Sequence, residues 1–260
     1  MTQAVTFGLL GSSALVLGAV VGGRFQIPKR VLAAMLAFAS GALITALAFE
    51  LFEDAHEQGG LWRAGLGLIV GAVVFTLLSA WLDWAAAAGT GDDTDRGSDK
   101  LDKQAATEGQ RAAAPSVKGA AGMALLAAVT LDGVPENVAL GVSLGEGTGG
   151  LALLGAIFVS NFPEALVGSA SMRAQGRTHT FVLVTWTICA LLLTAAVVLG
   201  AGPLASATPE TISLPLAFAA GAVLASLADT LMPEAYEEGG PTVALATAAG
   251  FVLSYLLATL

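Results

Sequence analysis

The sequence has few charged side chains and little cysteine. Of its 260 residues, 11 are Lys or Arg and 20 are Asp or Glu, so charged residues make up 12% of the chain, about half the share of a soluble domain. So few charges cannot cover a soluble surface. The single Cys excludes a disulfide scaffold. A net charge of −9 without a basic cluster excludes a nucleic-acid-binding protein.

Long apolar runs take the place of the missing charges. Hydrophobic residues make up 55% of the chain, and a helix needs roughly 20 of them in a row to cross a bilayer. A β-barrel is excluded because residues 190–198 show no polar and apolar alternation. The sequence therefore predicts an all-α integral membrane protein of eight helices. The predicted spans are 4–23, 31–52, 62–85, 119–145, 149–172, 179–201, 213–233 and 241–260.

One polar segment interrupts the apolar pattern. Residues 89–118 are rich in Gly, Ser and Thr, and they show no hydrophobic periodicity, which predicts a disordered loop. The loop separates residues 1–88, with three spans, from residues 119–260, with five. We expect one membrane domain overall, because polar groups in spans four and five need shelter from neighbouring helices.

The cations predict the orientation. Ten of the 11 Lys and Arg residues fall in the loops after the first, third and fifth spans, and only Arg63 falls on the other side. Under the positive-inside rule, loop 89–118 is cytoplasmic and both termini are extracellular. The sequence therefore predicts a multi-pass protein of the cell membrane.

The second and seventh predicted spans resemble each other. Residues 36–60 and 216–240 align without gaps and are identical at 13 of 25 positions. Chance identity between Ala- and Gly-rich helices is the alternative, but both segments also end in a matched Gly-Gly pair, which favours duplication. Spans two and seven cross the membrane in opposite directions. Inverted repeats of this kind are typical of transporters, whose substrate site lies between the halves.

Acidic residues occur inside the fourth and fifth spans. Asp132, Glu136 and Glu164 lie in apolar helices, where an ionised side chain costs at least about 2.5–3.5 kcal/mol. No Lys or Arg is predicted at membrane depth to balance them, so a proton or a bound cation must. Asp132 and Glu136 share one helix face because they are four residues apart.

The same two spans supply further oxygen atoms. Pro135 and Pro163 have no N–H group and so free the carbonyls of Leu131 and Val159. Such oxygen atoms suit a divalent cation. The alternative is protonated carboxyls bonded to neighbouring helices, but the repeated Pro-Glu pair favours a metal site. The predicted metal ligands are Asp132, Glu136, Ser160, Asn161 and Glu164.

At these residues the chain resembles the ZIP (Zrt/Irt-like protein) family of metal transporters, and spans two and seven look like that family's second and seventh helices. The resemblance implies a 3+2+3 bundle with inverted repeats and a metal site between helices four and five. The histidine of the family's His-Asn-x-Pro-Glu-Gly motif falls on Asp132, its asparagine on Gly133 and its glutamate on Glu136. In the fifth helix, the polar positions fall on Ser160 and Asn161 and the glutamate on Glu164.

Two departures from the motif change the expected site. Asp132 replaces the histidine, and Gly133 offers no side-chain ligand, so we expect one metal ion rather than two. Losing imidazole favours harder ions such as manganese, iron(II) or magnesium, whereas the resemblance favours zinc or iron.

The predicted function is uptake of divalent metal cations by alternating access. We expect a secondary transporter and not an enzyme, with no cofactor beyond the transported zinc, iron or manganese ion. The expected partners are that cation and the lipid bilayer, with no nucleic acid, and a homodimer is left open. Two alternatives also stay open: a transport-impaired metal sensor or regulator of the same fold, and an intramembrane aspartyl hydrolase. The hydrolase is disfavoured because no Gly-x-Gly precedes Asp132.

Five further residues are candidates for the ion pathway. Glu50, Glu53 and His56 lie at the outward end of span two, where acidic groups would attract cations to an entrance. Asp229 lies within span seven, and Glu234 lies at its cytoplasmic end, where it would serve an exit. The alternatives are solvated helix ends and, for Asp229, a carboxyl bonded to a neighbouring helix.

Overall fold

The described part of the chain is entirely helical. A computed structural model describes residues 1–25, 27–88, 121–146, 150–174, 176–204 and 207–259, and these contain no strand. The helices are α1 (Thr2–Gly22), α2 (Lys29–Ala46), α3 (Glu53–Ala88), α4 (Ala121–Glu146), α5 (Leu151–Ala174), α6 (His179–Leu199), α7 (Pro209–Ser226), α8 (Met232–Gly239) and α9 (Val243–Ala258). The predicted loop 89–118 lies outside the described residues, and only the backbone is described for 121–132. The all-α class is confirmed for the part described.

Within the described residues, five helical stretches are long and apolar enough to cross a membrane, which is consistent with a membrane protein. They are Thr2–Gly22, Lys29–Trp81, Leu151–Ala174, His179–Leu204 and Pro209–Ala258. Two of them hold 53 and 50 residues, enough for about 75–80 Å of straight helix against a hydrocarbon core of about 30 Å. Each of these two contains a glycine with positive φ, Gly60 at 76° and Gly240 at 63°. Such a glycine breaks the helical path at a point where other residues would be strained.

Short π-helical segments extend three of the helices. Leu47–Phe52 follows α2, Gly200–Leu204 follows α6 and Leu227–Leu231 follows α7. Such segments are rare and frequently mark functional sites. The first and third begin at equivalent positions of the aligned segments 36–60 and 216–240, so the two segments share this irregularity as well as their sequence.

Four glycines bring the helices of the repeated segments together in matched pairs. α2 packs against α9, and α3 packs against α7. A methyl group on Gly41 would overlap the carbonyl of Thr247, and one on Gly221 would overlap that of Leu68. In the same way, Gly250 lies against the carbonyl of Phe38 and Gly71 against that of Phe218. The two halves therefore pack in the same register.

The remaining helices surround α4 and α5. α1 packs against α5 and α6, while α4 packs against α6 and α7 and α2 packs against α5. Gly18 of α1 and Gly141 of α4 lie directly against backbone carbonyls of α5 and α6 respectively. Small residues allow this close approach between helices. The fold thus encloses the two helices that carry the predicted metal ligands.

Candidate metal site and acidic cavity

Both helices of the candidate metal site continue through an internal proline. Pro135 lies within α4 and Pro163 within α5. Neither proline has an N–H group to donate to the carbonyl four residues earlier, at Leu131 and Val159 respectively. Neither carbonyl can therefore accept the usual helical hydrogen bond from the residue four positions later.

The structure buries most of the predicted ligands. Glu136 is 6% exposed, Ser160 1% and Asn161 2%, and Glu164 is half-buried. Glu136 lies ten residues before the end of α4 at Glu146, and Ser160 lies nine residues after the start of α5 at Leu151. At 1.5 Å per residue, these separations are about 15 and 14 Å along the two helices. The side chain of Asp132 is outside the described set.

The two neutral side chains among the predicted ligands donate hydrogen bonds to backbone carbonyls. The Ser160 hydroxyl donates to the carbonyl of Ile157 at 3.1 Å. The Asn161 amide donates to the carbonyl of Gly11 in α1 over a longer 3.4 Å. The amide oxygen of Asn161 is consequently turned away from that carbonyl, because only the nitrogen can donate.

Asn137 is a buried polar residue that the sequence reasoning missed. It is 0% exposed, and its amide nitrogen donates to the carbonyl of Gly133 at 2.8 Å. Its amide oxygen has no hydrogen-bond partner in the part of the chain that the structure describes, which costs about 1–3 kcal/mol. One signal was available: an amide stands where the resembled motif has glycine.

The described side chains do not form a complete metal site. No three or more His, Cys, Asp or Glu side chains within the described set are grouped so that they could hold a metal ion. Asp132 falls outside that set. The residue types predicted as ligands nevertheless fit a hard cation, because their side chains are carboxylates, a hydroxyl and an amide, all with oxygen atoms.

A cavity of about 270 Å³ lies at one end of the bundle, and we refer to it as the acidic cavity. It is lined by Phe49, Glu50, Glu53, Asp54, Ser143, Gly150, Tyr255, Ala258 and Thr259. The structure thus brings Glu50 and Glu53 together with the neighbouring Asp54. A carboxylate oxygen of Glu50 accepts the backbone N–H of Leu153 in the first turn of α5 at 3.0 Å, where the helix dipole favours an anion.

The other predicted pathway residues lie elsewhere. His56 is exposed and does not line the acidic cavity. Asp229 is exposed and accepts a hydrogen bond from the Ser79 hydroxyl of α3 at 3.0 Å. Glu234 is half-buried on α8, and one turn further the carboxylate of Glu238 pairs with Lys29 at 2.6 Å.

One face of α4 connects the acidic cavity to the buried carboxylate. Ser143 lines the cavity and lies seven residues after Glu136, so the two share a helix face about 10 Å apart along the axis. Leu140 lies between them on that face and is 0% exposed. Leu140 therefore separates Ser143 from Glu136 on this face.

No protein-family model matches the chain, and no curated protein matches it. The functional assignment therefore depends on the residues and contacts described above.

Proposed function

We propose that the chain is a secondary transporter that carries divalent metal cations across the cell membrane. The observation that carries this proposal is the face of α4, which joins the wall of the acidic cavity at Ser143 to the buried Glu136. A carboxylate beneath an acidic cavity is an arrangement suited to admitting a cation and then replacing its water shell with protein oxygen atoms.

The proposed topology has eight spans in a 3+2+3 bundle. The positive-φ glycines Gly60 and Gly240 divide the two long helical stretches, so each of these crosses the membrane twice. The segment from α2 to α3 and the segment from α7 to α9 are inverted repeats in this arrangement. The matched glycine contacts and the matched π segments support it. We place the acidic cavity on the outer face and most of the cations on the inner face.

The proposed pathway begins at the acidic cavity. Glu50, Glu53 and Asp54 concentrate cations there, since a cleft lined by charges of one sign raises the local concentration of the opposite ion. The ion then passes Leu140 and reaches Glu136. The oxygen atoms of Asn161 and Glu164, the carboxylate predicted at Asp132 and the carbonyls freed by the two prolines complete its coordination.

The proposed substrates are zinc, iron(II) and manganese. Oxygen ligands favour manganese and iron(II), whereas the resemblance to ZIP transporters favours zinc and iron. The inverted halves would expose the site to each face in turn, so a downhill ion gradient is sufficient to drive uptake.

Metal flux into liposomes tests this proposal. Purified protein is reconstituted, and entry of Mn²⁺, Fe²⁺, Zn²⁺, Cd²⁺ and Mg²⁺ is followed with an internal dye. Glu136→Gln and Glu164→Gln each remove a ligand charge, and we expect flux to fall by about tenfold or more. The matched control is Glu210→Gln, which removes an exposed carboxylate at the start of α7 and should leave flux unchanged.

Two results would contradict transport. One is no flux for any metal with wild-type protein that binds metal, which would favour a sensor or regulator. The other is flux that stays the same in both ligand variants. A melting curve for each variant separates loss of a ligand from loss of the fold.

A further inference from the structure

The two halves of the repeat share their backbone, and one of the positions at which their side chains differ lies in the π segments. Phe49 in the π segment after α2 aligns with Asp229 in the π segment after α7. After the Gly-Gly pairs at 59–60 and 239–240, the alignment shifts by one residue. The counterpart of Gly71 is Gly250 rather than residue 251, because these two glycines make equivalent contacts, with Phe218 and Phe38. With that shift, Ser79 of α3 is the counterpart of Ala258 of α9.

At the outer face this position is apolar and open. Phe49 and Ala258 both line the acidic cavity, and neither side chain has a polar atom that could join the two helices. Phe49 meets the ring of Tyr255 edge-on, with centroids 5.5 Å apart. The outer half thus leaves a cavity between the π segment and α9.

At the other face, the equivalent residues are polar and are hydrogen-bonded to each other. The Ser79 hydroxyl donates to the carboxylate of Asp229 at 3.0 Å. A hydrogen bond to an ionised group is stronger than one between neutral groups. This bond fastens the π segment after α7 to α3, at the place where the outer half is open.

We propose that the Ser79–Asp229 hydrogen bond is a latch that keeps an inner vestibule closed while the acidic cavity is open. This inference rests on the proposed transport function. In the opposite state the bond breaks and a vestibule forms beside Asp229, Thr230 and Glu234. These residues are the counterparts of Phe49, Glu50 and Asp54, so the inner vestibule keeps two acidic side chains to receive the departing ion.

Breaking the latch should change the balance between the two states. A bond present in one state alone favours that state by its own net strength. For a hydrogen bond to a charged group, that strength corresponds to a shift of about tenfold. Ser79→Ala should therefore raise the ratio of inward-open to outward-open molecules about tenfold. If the two states are equally populated at the start, the outward-open fraction falls roughly fivefold.

Cysteine labelling in oriented vesicles tests this latch. Cys189 is buried and is replaced by Ala. Single cysteines are then placed at Glu53, which lines the acidic cavity, and at Thr230. We expect Ser79→Ala to speed maleimide labelling of position 230 from the inner side and to slow labelling of position 53 from the outer side. Asp229→Asn keeps an acceptor and should give intermediate rates.

Thr76→Ala is the matched control. It removes a hydroxyl one turn from Ser79, and that hydroxyl donates within its own helix to the carbonyl of Ala72 at 2.8 Å. In this variant, the labelling rates at positions 53 and 230 should equal those of the same single-cysteine proteins with Thr76 unchanged. Equal effects of Thr76→Ala and Ser79→Ala would overturn the latch.

Two other results would also overturn it: unchanged labelling rates at both positions after Ser79→Ala, or slower labelling at position 230. Cysteines at the equivalent exposed positions Glu57 and Glu237 check the topology separately. If both label from the same side, the inverted repeat and the proposed function fail with the latch. If they label from opposite sides and Ser79→Ala has no effect, the latch alone is wrong.

Discussion

At the scale of single residues, three polar side chains of the candidate site are buried within two helices: Glu136, Ser160 and Asn161. Their burial could be predicted, because polar residues within apolar helices need shelter from lipid. The contact of Asn161 with Gly11 joins residues 150 positions apart. It depends on α1 packing against α5, which no local pattern encodes. Asn137 was missed although its amide stands where the resembled motif has glycine.

Asp132 should set the selectivity of the metal site. It occupies the position where the resembled family has histidine, and carboxylate ligands favour harder ions than imidazole does. We expect Asp132→His to raise the ratio of zinc flux to manganese flux about tenfold, measured in the same liposomes. An unchanged ratio of zinc to manganese flux, in a variant that still transports, would show that Asp132 does not contact the ion.

At the scale of elements, helix boundaries followed the sequence where capping chemistry marks them. The predicted span 179–201 matches α6, which begins after Thr178, whose hydroxyl accepts the N–H of Phe181 at 3.2 Å. Beyond the predicted span ends at 52 and 233, the helix continues to the glycine pairs. Charged residues there end the apolar run without ending the helix. The π segments had no recognisable sequence signal.

The matched glycines should be essential for packing the repeated segments. A methyl group at Gly221 would overlap the carbonyl of Leu68, and such overpacking costs about 1–3 kcal/mol. We expect Gly221→Ala to lower the melting temperature of the purified protein. Gly65→Ala is the control: a methyl group there meets no atom within 4 Å, so it should be neutral or should stabilise α3 by up to about 1 kcal/mol. Equal melting temperatures for the two variants would contradict the close helix contact.

At the scale of the whole molecule, packing symmetry extends further than sequence identity. The identical positions lie within residues 36–60 and 216–240, yet the matched glycine contacts continue into α3 and α9. Backbone contact requires only a small residue at each crossing, so it can be retained while other side chains change. The divergence of Phe49 from Asp229 shows such a change. Sequence alone could predict the repeat, but it could not show that the acidic cavity lies beside the π segment after α2.

The central claim is that a divalent cation binds beside Glu136, between α4 and α5. Anomalous diffraction from crystals of the wild-type protein soaked in Mn²⁺ or Zn²⁺ tests it most directly. We predict a peak within coordination distance of the Glu136 carboxylate, about 2.0–2.2 Å for zinc, that disappears in Glu136→Gln. Metal found only at Glu50, Glu53 and Asp54, in crystals of protein that transports, would contradict the claim.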